Sequence, residues 1–401
     1  MSVTPLRTRD KYWSRLQSAF AGGPVPGLTA DRVRDHLRHL AEVDPGHRYF
    51  RRFDPDGLRW DEATSTEELH RRIDEIVVES PSLALDALDG ATERIVNQPI
   101  GTVPFRVEVG NEIVVYHNIH ALGDAHNFVQ SRWLIDPEAP EVKADRHDDG
   151  RLTRRAMAHA LREPGTLWQA KKAYDADRAR FAEALAAGPS TALHADGASR
   201  IRSVSVMSDT GNVAELNRWR KTQESRPGRT AIRASVIQNE MLQRGLVHPT
   251  AGPTVLVDLR RYLPGQGAGL GNFVGSIWIP EAAPTPQDIA AKLKADLKLG
   301  VPLVAEAKGL RAFQKGWYSM GDFSSPTPAP RTMTFVDSLP WNRPTDFTDI
   351  SCVAAPGGPS AITVCVGETN GATYLTAAFL DDAFDAAEVK AALHASLLVP
   401  A

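Results

Sequence analysis

The sequence predicts a mixed α/β protein made of two lobes, with mixed sheets covered by helices. Three observations predict it. Segments with an apolar period of two are interspersed with segments of helical period, without the strict strand–helix–strand rhythm of a parallel sheet. At 401 residues the chain is longer than one ordinary core holds. Finally, "GPSTALHADGAS" (188–199) is the most linker-like stretch, so the lobes are expected over 1–195 and 196–401.

Taken in order, "DRVRDHLRHLA" (31–41) and "TSTEELHRRIDEIVVE" (64–79) have helical spacing, the second with polar caps at Ser65 and Thr66. "FRVEVGNEIVVYHNIH" (105–120) switches to period two. Phe105, Val107 and Val109 alternate with charged residues, Gly110-Asn111 makes a turn, and a second strand follows. Residues 155–187 read as one long helical stretch. "IRSVSVM" reads as a strand, "AIRASVIQNEMLQRGL" as a buried helix and "PTVLVDLR" as a buried strand. "TPQDIAAKLKADLKLG" is a helix with Thr285 as cap, Pro286 at its first position and Gly300 at its end. "AITVCVGETNGATYLTAAFL" is a strand pair around "GETNG". The last helix opens on Asp385 and Glu388 and carries Val389, Ala392, Leu393 and Leu397 on one face.

Composition excludes several classes. Hydrophobic residues make up 42% and charged residues 24%, ordinary for a folded globular chain. A net charge of −3, with dispersed Lys and Arg, gives no footprint for nucleic acid or an anionic membrane. No run of about 18 apolar residues is present, so no membrane span is expected. The N-terminus lacks a secretory h-region, and two cysteines make neither a disulfide framework nor a zinc set. A cytoplasmic enzyme or binding protein is expected. "GQGAGLGNF" superficially matches a dinucleotide loop, but it leads into another strand rather than a helix.

The informative stretch is "YHNIHALGDAHNF" (116–128), with three histidines and an aspartate. His117 and His120 point to opposite faces of an extended strand, and the third and fourth ligands of a zinc site are not announced, so no metal is expected. His70 and Asp74 repeat the His120–Asp124 spacing, but they read as an ordinary pair on an exposed helix. His120 differs because it comes directly off an apolar strand whose Val114, Tyr116 and Asn118 share its face. The small Ala121, Gly123 and Ala125 then leave room for a close turn. A histidine fixed there is well placed to be a base. His117 reads as a core or loop histidine, or as a lining residue of the site, and His126 as a residue of the following helix.

With "IHALGDA" the segment resembles the His-x-x-x-Asp motif of the superfamily containing chloramphenicol acetyltransferase, plant BAHD acyltransferases and the condensation domains of nonribosomal peptide synthetases. Ile119 and Ala125 stand where condensation domains often have His and Gly. "VDLRRYLPGQGAGLGNFVG" is similar to the family's Asp-x-Arg strand and its following Gly-Asn or Gly-x-Phe-Val segment. "MTFVDSLPW" resembles the strand that often ends in Ser-Asn-Leu-Gly, and "MGDFSSP" keeps an Asp-Phe remnant of the BAHD Asp-Phe-Gly-Trp-Gly. "YLTAAFLDDAFDAAEVKAALHASLL" is similar to the terminal strand and helix. The resemblance spans roughly residues 100–398.

That resemblance implies two lobes in a V-shape with a central tunnel and the catalytic histidine midway along it. It implies His120 as general base, with Asp124 structural and paired to Arg260 or its neighbour Arg261. Asn272 and Ser338, and by position His117, would line the tunnel. The implied reaction is ester or amide formation from a thioester donor. The donor arm is phosphopantetheine, on an acyl or peptidyl carrier protein or in coenzyme A, with an amine or alcohol as acceptor and no permanently bound cofactor. Ala-, Arg-, Gly- and Pro-rich usage fits a high-GC bacterium and specialised-metabolite biosynthesis. Two alternatives stand beside it: dehydration, cyclisation or epimerisation of a carrier-bound substrate, and a non-catalytic recruitment module.

Overall fold

The computed structural model describes residues 2–99, 101–124, 134, 152–160, 162–163, 165–186, 199–264, 271–316, 331–340 and 347–398. Its strands are β1 (Ser2–Pro5), β2 (Gln17–Gly23), β3 (Arg52–Asp54), β4 (Arg59–Glu62), β5 (Val77–Glu79), β6 (Phe105–Val109), β7 (Val114–Ile119), β8 (Ile201–Met207), β9 (Thr254–Asp258), β10 (Val274–Trp278), β11 (Thr332–Pro340), β12 (Asp349–Ala354), β13 (Ala361–Thr369) and β14 (Ala372–Leu380). Its helices are α1 (Thr8–Trp13), α2 (Ala30–Val43), α3 (Thr66–Ile76), α4 (Leu88–Val96), α5 (Leu152–Ala160), α6 (Thr166–Ala186), α7 (Asn212–Thr222), α8 (Arg229–Gln243), α9 (Pro286–Leu299), α10 (Val301–Gln314) and α11 (Ala386–Ser396). His126, Trp133, most of the linker-like stretch, "GQGAGL" (265–270) and "MGDFSSP" lie outside the described residues. No helix among the described residues is long and apolar enough to cross a membrane.

Two units divide the chain. The first holds Met1–Gly150, Ala268–Asn272 and Trp341–Ala354, and the second Arg151–Gly267, Phe273–Pro340 and Ala355–Ala401. The expected boundary near residue 195 therefore differs from the division observed. Helices α5 and α6 precede the linker-like stretch, yet α6 packs on α9 and α10 and α5 on α10. Linker composition reports local chain preference, whereas allegiance is set by which core receives a helix's apolar face. The single helix expected over 155–187 is also broken, at Gly165, whose φ is +85°.

Unit one is built on a five-stranded sheet in the order β12-β2-β7-β6-β5, antiparallel except for the parallel β5–β6 pair. A small sheet, β1-β4-β3, accompanies it. Central strand β7 is apolar and β-branched at its start, and Val114, Val115 and Tyr116 are fully buried. Aromatic rings knit this core: Tyr49 stacks on Phe105 at 4.0 Å, and Tyr116 lies 6.3 Å from Phe105 and 6.1 Å from Phe20. Ser65 caps α3 by accepting from the Glu68 amide, and Thr66 is the first helical residue.

Unit two carries a six-stranded mixed sheet, β10-β9-β11-β13-β14-β8, in which β11 runs parallel to both β9 and β13. Its core joins Phe335, Val364, Leu375 and Phe379 of the sheet to Ile237 and Met241 of α8 and Val389 and Leu393 of α11. Thr285 and Asp288 form a reciprocal capping box on α9, and Gly300 ends it in the left-handed region at φ +77°. Helix α10 starts at once after Gly300. The β13–β14 hairpin turns at Asn370 and Gly371, both left-handed at φ +47° and +80°, as a two-residue turn between strands demands.

Candidate active site

His120 is the residue directly after β7. Its backbone amide donates to Leu16 O (2.8 Å), just before β2, while the Ile119 amide donates to Pro104 O (2.9 Å), just before β6. The strand end is thus gripped on both sides. The Leu122 amide folds back to Ile119 O, and Nδ2 of the buried Asn118 reaches the carbonyls of Ile119 (3.2 Å) and Gly123 (3.5 Å). Arg48 braces the loop from outside by donating to Leu122 O at 3.1 Å. Arg48 and Asp10 are both buried and lie 3.8 Å apart. Burial holds Asp10 above the usual carboxylate range, offset in part by the Arg48 charge.

His120 is half-buried, with one face of its ring stacked on Trp13 at 5.0 Å and 25°. Its Nδ1 lies 2.8 Å from Oδ1 of Asn272, and the Asn272 Nδ2 donates to the His120 carbonyl oxygen. Asn272 is buried, at 1% exposure, and follows Gly271, whose φ of +107° is a backbone state that side-chain-bearing residues rarely adopt. The surrounding protein lowers the His120 pKa below 6.5 through desolvation. The Asn272 hydrogen bond, the Asp124 charge and a hydrogen bond to the residue's own backbone oppose that shift. Asp124 itself is buried, at 3% exposure.

The remaining expected site residues separate. His117 lies on β7, where its Nε2 donates to Gln17 Oε1 at 2.6 Å, and the Gln17 amide nitrogen in turn donates to Gln98 O. Burial, with a contribution from Arg106, lowers its pKa to about 4, so the ring is a neutral member of a structural chain. Arg260 sits in a turn after β9, buried, with its Nη1 3.1 Å from Asp258 Oδ1; Arg261 beside it is exposed. Ser338 stands near the end of β11, and its side chain is outside the described residues. His70 is exposed, and Asp74 faces Arg34 and Arg38 of α2 rather than forming a dyad.

Trp13, Arg48 and Asp10 escape the sequence reading. The signal available for the first is an aromatic pair set among charges, "RDKYWSRL"; for the other two nothing local marks burial.

No protein-family model matches the sequence, and no curated protein sequence matches it. Solved structures are similar over nearly all of its length. Trichothecene 15-O-acetyltransferase from Fusarium sporotrichioides is 11% identical with a TM-score of 0.70, over 98% of this chain and 94% of that one. The nonribosomal peptide synthetase cyclization-docking bidomain from Sorangium cellulosum is 12% identical with a TM-score of 0.61, over 98% and 84%. Polyketide synthase associated protein 5 from Mycobacterium tuberculosis is 16% identical with a TM-score of 0.59, over 98% and 96%. Identities this low speak for architecture alone, and that architecture agrees with the sequence resemblance: this protein has the chloramphenicol acetyltransferase-like fold, shared with acyltransferases and condensation domains.

Proposed function

We propose that the protein is an acyltransferase of the condensation type that uses His120 as general base. The carrying observation is the state of one ring. His120 is half-buried, desolvation lowers its pKa below 6.5, and its Nε2 makes no hydrogen bond among the described residues. Such a nitrogen takes the proton of an amine or hydroxyl while the nucleophile's electron pair attacks a thioester carbonyl. The tetrahedral intermediate then collapses, the carbon–sulfur bond breaks, and the imidazolium returns the proton to the thiolate. No covalent acyl-enzyme is needed.

Names among the structural neighbours support this chemistry: an O-acetyltransferase, a peptide synthetase cyclization bidomain and a polyketide synthase associated protein. The proposed donor is a phosphopantetheine thioester, on a carrier protein or in coenzyme A, and the acceptor a small amine or alcohol. The proposed setting is the cytoplasm of a bacterium making specialised metabolites. For Asp124 the resemblance implies an arginine partner, and the buried Arg260 suits a buried carboxylate better than the exposed Arg261. Cyclisation of a carrier-bound substrate is the second reading, motivated by Ile119 and Ala125 beside the motif and by the cyclization neighbour. An intramolecular product formed without added acceptor would favour it.

The test compares wild-type protein with His120→Ala, using acyl-coenzyme A and acyl-carrier donors and mass spectrometry of products. Loss of the base should slow transfer about 10²- to 10⁴-fold. Wild-type activity should fall only below pH 6.5, because the base works deprotonated and its pKa is depressed. A His120→Ala protein that transfers at the wild-type rate overturns the proposal.

A further inference from the structure

We propose that Asn272 is a positioning residue that fixes His120 as the Nδ1–H tautomer, so that its Nε2 lone pair faces the reaction. This rests on His120 acting as base and adds how the chain selects the reactive nitrogen.

The assignment follows from hydrogen-bond bookkeeping on two groups. A backbone carbonyl oxygen can only accept, so the Asn272 atom against the His120 carbonyl must be the NH₂ nitrogen. That fixes the rotation of the amide and leaves Oδ1 facing the imidazole at 2.8 Å. Oδ1 also only accepts, so the ring nitrogen opposite it must carry the proton. In a neutral imidazole with Nδ1 protonated, Nε2 holds the lone pair. A flipped amide would set oxygen against oxygen at the carbonyl, and donor against donor for this tautomer.

Two further features make the clamp stiff. Asn272 grips one residue at two points, ring and backbone, so the imidazole cannot turn about its Cβ–Cγ bond without breaking a contact with a buried amide. Trp13 closes one face of the ring. Among the described residues, Asp124 is the charged group that acts on the ring, and it does so through its field. The hydrogen bond at Nδ1 is to a neutral amide, where serine hydrolases place a carboxylate. A base oriented by an amide keeps a low pKa and stays deprotonated at neutral pH.

The experiment uses full-length protein labelled with ¹⁵N-histidine. Long-range ¹H–¹⁵N spectra are recorded across pH 4–9, and His120 is assigned by the signals lost in His120→Ala. Wild-type protein should show His120 with a protonated Nδ1 and a bare Nε2. Asn272→Asp, nearly the same shape, should raise the His120 titration midpoint by about 1–3 pH units, the effect of a carboxylate within hydrogen-bond reach. Asn272→Ala should weaken the preference for the Nδ1–H tautomer, which the hydrogen bond to the residue's own backbone still favours in part. With an acyl-coenzyme A probe it should lower kcat about 10- to 100-fold with little change in KM. Added to His120→Ala it should do no further harm. A wild-type His120 protonated at Nε2, or an Asn272→Asp midpoint equal to that of wild type, overturns the proposal. These spectra need no substrate, so they separate a failed clamp from a failed assignment of His120 as base.

Discussion

Acidification should destabilise this protein through two histidines that the fold keeps neutral. His47 is buried, and its Nδ1 accepts the Tyr49 amide, a role that protonation abolishes. Burial, with Arg48 and Arg51 nearby, lowers its pKa from 6.5 to about 3. His117, in the Gln17 chain, is lowered from 6.5 to about 4. In both cases the folded state binds a proton less readily than the unfolded chain, so the stabilisation is present above pH 6.5 and is lost as pH falls toward the folded values. At pH 5 the unfolded rings are almost fully charged while the folded ones remain neutral. At about 1.4 kcal/mol per pH unit, each ring then accounts for about 2 kcal/mol of stability present at pH 7 and gone at pH 5. The assay is urea unfolding at the two pH values for wild type, His47→Gln and His117→Gln. Each variant should lose about 2 kcal/mol less than wild type on acidification. A variant that loses as much as wild type would show that its ring is already solvated and charged when folded, and the burial argument would be refuted.

Two other outcomes test the fold and the loop. If the buried Arg260 serves Asp124, Arg260→Ala should lower unfolding free energy by about 3–5 kcal/mol, the usual consequence of stranding a buried charge, while Arg261→Ala should stay within about 0.5 kcal/mol. Equal effects in urea melts would remove Arg260 from that role. Gly371→Ala should cost about 2–3 kcal/mol by the same assay, because a Cβ there meets Thr210 O at 2.4 Å from a backbone at φ +80°. An unchanged midpoint would mean the hairpin adopts another turn.

Much of this molecule is legible locally. The Asn-Gly turn at 370–371, the Thr285 cap and the Gly300 stop are each set by residues within a few positions, and each is present as expected. His120 and Asp124 stand out because they follow an apolar strand. What escapes is non-local. Strand β2, "QSAFAGG", is too small and too glycine-rich to announce itself, yet it lies between β7 and β12, more than 90 and 320 residues away. Helix α10 hides behind Gly300, which reads as a stop, although the Pro302 that follows suits a first helical turn. The Asn272 contact joins positions 152 apart, and no periodicity reports such a meeting.

Strand β12 carries a consequence for biosynthesis. It is encoded between two strands of the second unit but pairs with β2 as the edge strand of the first. While the ribosome is still making the chain, the opening 150 residues expose β2 as a raw margin of unpaired amides and carbonyls until residue 354 emerges, an invitation to mispairing between nascent chains. Shortened versions ending before β12 should therefore aggregate, and supplying the 341–354 segment in trans should rescue them.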